Sequence, residues 1–182
     1  MKVEQVVSLA EKIGFSHIGK LNIEALNFRQ EVRDMCSADK CRKYGKCWTC
    51  PPYCGTLDES REKASRYSCG IILQTTGNME DDFDIECIQD TQKTQKEHFT
   101  ELVKEMRAVE PDFLPMGSGG CSICESCACP DEPCRFPDRA FTSMEAYGLV
   151  VADTCRDSNM KYYYGPLTMT FTSCILFNEK EE

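Results

Sequence analysis

The stretch "LTMTFTSCILF", residues 167–177, sets the architecture. Met169, Phe171, Ile175 and Phe177 alternate with Thr168, Thr170, Thr172 and Cys174. A period of two predicts a strand over 166–177 with one face turned to a core. Working back along the chain, "CGIILQTT" (69–76) is a short apolar run that reads as a buried strand, with Gly77 and Asn78 ending it. "FSHIGKL" (15–21) reads as a third, shorter strand. "DFLPMGSGG" (112–120) reads as a strand end or extended segment that leads into a cysteine-rich loop.

Helical patterns fall between these strands. Val3, Val6, Val7, Ala10 and Ile13 recur at helical spacing, and Gly14 supplies a stop. A second helix is expected within 23–34. Thr56 and Glu59 have capping-box spacing, so a helix should run over 57–67. Phe99, Leu102, Val103 and Met106 form one apolar stripe on a helix over 92–109, which Pro111 closes. Thr142 and Glu145 repeat the capping-box spacing and start a short helix that Gly148 stops. The acidic end "NEKEE" (178–182) is expected to fray. Interleaved helices and strands predict an α/β or α+β layered fold. We read one domain over 1–182, with two cysteine-rich loop insertions at 36–55 and 121–137.

Composition narrows the function. The chain carries 30 acidic and 21 basic residues, a net charge of -9. Nucleic-acid binding rests on Lys and Arg, so that class is disfavoured. The acidic balance suits solubility, or a surface for a basic redox partner. No apolar run approaches the ~20 residues of a spanning helix, so no membrane role is expected. The N-terminus "MKVEQVVSLAEKIGF" is polar throughout and does not read as a signal peptide. A cytoplasmic location is therefore expected. In that reducing compartment the 14 cysteines point to metal ligands rather than disulfides.

The second loop, "CSICESCACPDEPCRFP" (121–137), carries the stronger signal. Cys121, Cys124 and Cys127 form a C-x2-C-x2-C triplet, in which each thiolate can reach a different iron of one cubane. The fourth ligand must come from outside the triplet. Cys129 follows too closely for ferredoxin-type geometry, so Cys134 ranks above it. The first loop, "CSADKCRKYGKCWTCPPYCG" (36–55), offers Cys36, Cys41, Cys47, Cys50 and Cys54. These are five thiols for four positions, and the C-x2-C pair of Cys47 and Cys50 is also a zinc pattern. Zinc is thus the alternative metal, more strongly at the first loop than at the second. An oxidised 4Fe-4S centre with four thiolates carries a net charge of about -2. Arg42, Lys43 and Lys46 in one loop, and Arg135 and Arg139 beside the other, are candidates to offset it, or else ordinary surface charges.

The strings "MCSADKCRKYGKCWTCPPYCGTL", "CSICESCACPDEPCRFPDRAFTSMEAYGL" and "YYYGPLTMTFTSCILF" resemble domain-of-unknown-function family 2284, the prokaryotic predicted metal-binding proteins. The resemblance runs from "GFSHIGK" to the last strand. It implies metal binding and an anaerobic host, and it assigns no reaction. Carried over by position, it implies a first ligand set of Cys36, Cys41, Cys50 and Cys54. It implies a second set of Cys121, Cys124, Cys127 and Cys134. Cys47 and Cys129 look like additions in this sequence.

Outside the loops, Cys69, Cys87, Cys155 and Cys174 read as small buried hydrophobes. His17 and His98 read as structural or surface residues. Trp48 reads as a shield for the first cluster, and "GSGGC" (117–121) as room for the backbone to turn toward a cluster. No phosphate-binding loop, nucleophile elbow or zinc-protease helix motif is present. Three functions remain. The leading one is an electron-transfer protein with two 4Fe-4S clusters serving a partner enzyme or corrinoid protein. The others are an iron–sulfur enzyme with an open-coordination cluster, and a zinc-stabilised binding module.

Overall fold

A computed structural model describes residues 1–179. The fraying expected of 178–182 therefore lies largely outside the described residues. Four strands form one antiparallel sheet in the order β1-β2-β4-β3: β1 is His17–Lys20, β2 Cys69–Asn78, β3 Phe113–Met116 and β4 Thr168–Phe177. β2 and β4 pair along their full lengths, from Cys69 opposite Phe177 to Asn78 opposite Thr168. Gly77 and Asn78 therefore continue β2 instead of ending it. The α/β or α+β expectation resolves to helices on both faces of a wholly antiparallel sheet.

One face is covered by α1 (Val3–Ile13) and α4 (Ile85–Val109). Val6 and Ala10 of α1, and Phe99, Leu102, Val103 and Met106 of α4, meet Ile71, Leu73, Ile175 and Phe177 of the sheet in one buried cluster. Burying side chains of this size contributes about 1.5–3 kcal/mol each. α1 ends as expected, with Gly14 at φ 109°. α4 begins seven residues before the expected 92. Asp84 caps it by accepting from the Cys87 N–H at 2.9 Å. Its early turns have no apolar stripe because they bury polar side chains. Gln95 accepts from Thr75 at 2.6 Å and donates to the Leu73 carbonyl at 3.1 Å and Ser173 at 3.0 Å. Gly77 lets Thr91 lie against β2, since a Cβ there would stand 2.0 Å from the Thr91 hydroxyl.

The opposite face carries short helices: α2 (Gln30–Cys36), α3 (Leu57–Ala64), α5 (Met144–Tyr147) and α6 (Val151–Asp157). Leu57, Met144, Tyr147, Leu149 and Cys155 pack there with Ile72, Cys174 and Leu176 of the sheet. β4 is thus buried on both faces over 172–177, and its threonine-bearing side is not a solvent face at that end. The expected helix within 23–34 divides into a 3-10 turn, Ile23–Ala25, and α2. α3 stops at Ala64, three residues short of 67, and keeps the Thr56–Glu59 capping box. The cap of α5 is Ser143, not Thr142: its hydroxyl accepts from the Ala146 N–H at 3.2 Å. α6 has no counterpart in the sequence reading. No helix among the described residues is long and apolar enough to cross a membrane.

Candidate metal centre

The first cysteine loop leaves the end of α2, where Cys36 is the last helical residue, and reaches the cap of α3 just after Cys54. Between them the chain is a series of turns. Asp39 and Arg42 adopt positive φ, and the Pro51–Pro52 bond is cis. The Asp39 carboxylate steadies the loop by accepting from the Tyr44 N–H at 2.9 Å and pairing with Lys46 at 3.3 Å. Cys41 and Cys54 act electrostatically on Cys36, and Cys41 on Cys50. Burial first, then the nearby Cys41, Glu145 and Cys54, push the Cys36 thiol up, while Arg33 pulls it down. Burial also raises Cys54, again against Arg33.

Arg33 is the feature of this site that the sequence reading missed. It lies on α2 and is only 7% exposed, which is rare for an arginine. Its Nη2 donates to the Gly55 carbonyl and stands 3.9 Å from the Cys54 sulfur, while its Nη1 is buried without a partner. A buried cation with an unused donor beside thiols fits an anionic metal–thiolate group. An arginine on a short helix outside the cysteine loop gave no sequence signal for this role.

The second loop follows β3. Gly117 is tied to the segment before α5: its N–H donates to Thr142 O at 2.8 Å, and its carbonyl accepts from Met144 N at 3.1 Å. Gly119 then turns the chain at φ 63°, as expected of the glycine-rich approach. Beyond it a small pocket is lined by Cys121, Cys124, Cys127 and Cys134, the four thiols named for the second set. Cys129 is buried nearby, after which the Cys129–Pro130 bond is cis.

A fifth thiol of this pocket comes from the other loop. Cys47 is 2% exposed, lines the pocket and stands 3.4 Å from the Thr49 hydroxyl. Donation from Cys121 first, then from Cys50 and Thr49, holds Cys47 well below the ordinary thiol range. Cys50 and Cys121 are raised in turn. Trp48 moves with it. Its ring walls the second pocket, its indole N–H donates to Glu132 O at 2.9 Å, and it meets Tyr53 edge-on at 5.5 Å. Trp48 thus joins the first loop, through Tyr53, to the pocket of the second.

Of the loop cations, Lys43 and Arg135 line the second pocket. Arg139 lies over the Phe136 ring at 5.8 Å. Lys96, on α4, donates to Gly120 O at 2.9 Å and Ser122 Oγ at 3.0 Å. Burial lowers its pKa, and the nearby Cys121 opposes that shift. Among the described residues no three His, Cys, Asp or Glu side chains converge closely enough to hold a single metal ion. His17 stacks on Tyr164 at 3.8 Å and His98 meets Phe15 at 5.4 Å, both as structural contacts. Cys69, Cys155 and Cys174 are buried as expected. Cys87 is only half-buried, because it lies in the first turn of α4, and its thiol donates to Asn78 O at 3.3 Å.

Two thiol-rich loops on a helix-covered antiparallel sheet, one of them beside the buried Arg33, have the donor chemistry of a metal-binding protein. The family described as predicted metal-binding protein, DUF2284, matches residues 19–177, and the chain belongs to that family. Comparison with curated proteins and with solved structures finds no match.

Proposed function

We propose that the chain is an iron–sulfur protein that transfers electrons to a partner enzyme or corrinoid protein. One 4Fe-4S cluster would use Cys36, Cys41, Cys50 and Cys54. The other would use Cys121, Cys124, Cys127 and Cys134. The observation that carries this reading is that Cys121, Cys124, Cys127 and Cys134 all line one small pocket. Four irons sharing four thiolates need that arrangement. Bound there, such a cluster supplies one reversible electron. The protein's own residues limit water access with Trp48 and Phe136, and set positive charge beside the thiolates with Lys43 and Arg135.

The test is iron and acid-labile sulfide analysis of protein purified without oxygen. About eight of each per chain, with broad absorption near ~400 nm, are expected for two cubanes. Zinc without sulfide would replace this reading with a structural zinc clasp. An enzyme reading draws on a second observation. A cleft of about 710 Å³ opens beside Cys121, between α4 and the Gly117–Gly120 turn, with Lys96, Arg139 and Phe141 on its walls. That volume suits a small-molecule ligand. Cyanide is the probe. A change in the electron paramagnetic resonance spectrum of the reduced protein on adding it would favour an iron open to substrate. An unchanged spectrum would leave electron transfer as the function.

A further inference from the structure

The second pocket holds one thiol more than a cubane can use. Four irons take four thiolates, yet Cys47, Cys121, Cys124, Cys127 and Cys134 all line the space. The triplet rides on one tight loop. The two remaining thiols come from different loops and differ in setting. Cys134 is half-exposed, on the return limb of the second loop. Cys47 is buried and arrives on a turn of the first loop, whose Cys50 N–H donates to Cys47 O at 3.0 Å. Cys47 lines the same pocket as Cys121, Cys124 and Cys127, so no change of fold is needed to bring it to a metal held there.

We infer that Cys47 is an alternative fourth ligand of the second cluster, exchanging with Cys134. This rests on the iron–sulfur reading and assigns Cys47 to the site opposite the loop that carries it. In the exchange one iron–sulfur bond breaks and one forms. The arriving thiol gives up a proton and the departing thiolate takes one up, with no change in iron oxidation state. With Cys134 bound, the fourth ligand faces solvent. With Cys47 bound, it is buried, and the turn Cys47–Cys50 brings one ligand to each cluster. The two clusters are then linked through three peptide bonds.

The experiment compares full-length wild type with Cys134→Ala, Cys47→Ala and the double variant, each loaded without oxygen. Iron and sulfide are counted, and reduced clusters are quantified by electron paramagnetic resonance. Both single variants should keep about eight irons per chain, and the double variant should fall to about four. The four irons of the first site report that the double variant has folded. A Cys134→Ala protein already reduced to about four irons would overturn the inference, as would a double variant that keeps about eight. Wild type without iron and sulfide would instead sink the iron–sulfur reading itself.

Discussion

The cysteines of the loops and those of the sheet core are the same residue in opposite surroundings. Cys174 is buried in the central strand and Cys155 on α6 faces it across an apolar cluster. No arginine or lysine is among the groups that shift either thiol, and burial holds both neutral. Cys36 and Cys54 border a buried arginine, and Cys47 borders two further thiols. A thiol becomes a metal ligand only where its anion is tolerated. Burial raises Cys36 and Cys54 as well, so the contrast lies in the neighbours: a buried arginine stands by the loop thiols and none by the core ones.

The sharpest way to break this division is to remove ligands from one side of it. Cys124→Ala combined with Cys127→Ala should cost the second cluster, about four irons per chain, and leave the first. Iron analysis checks this, and loss of all iron would mean that the sites are not separate. Next in size, Arg33→Gln should make the first cluster harder to reduce. The expected penalty is about 1.5–3 kcal/mol, the worth of a charge-assisted hydrogen bond. Redox titration should show the second cluster unmoved.

The core thiols give smaller effects. Burial pushes Cys155 up to about 11 from an ordinary 9.0. The fold thus favours the neutral thiol, and its contribution is complete below pH 9.0. As pH rises toward 11 the unfolded chain ionises first, and about 2–3 kcal/mol of stability should be lost. Denaturant midpoints across that window should fall, and fall less steeply in Cys155→Ala. Smallest of all, Cys174→Ala should cost about 1 kcal/mol through a small cavity while keeping full iron content. Loss of iron in that variant would erase the distinction between core and loop cysteines.

Particular elements show how far the sequence reaches. β4 and the apolar stripe of α4 were legible because each repeats its period several times against the core, and β2 because it is a short unbroken apolar run. α6 was not, because Val151–Asp157 is too short to repeat a helical period. The first turns of α4, 85–91, were missed because Ile85 is exposed and the buried position there is the polar Thr91, whose hydroxyl donates to Cys87 O. The C-x2-C-x2-C spacing was enough to mark Cys121, Cys124 and Cys127 as candidates, since their mutual reach is set by a few bonds of local chain.

By itself, then, the sequence determined the sheet's central strands, the helix that covers one face, and the two loops rich in thiols. All of these follow from local periodicity and short-range spacing. Only the tertiary structure decided that Arg33 lies buried against Cys54, and that Cys47 and Trp48 of the first loop line the pocket of the second. Those placements depend on how two loops distant in sequence meet above the sheet. Contact across a fold is set by the packing of the elements that carry the loops, and no spacing within either loop records it.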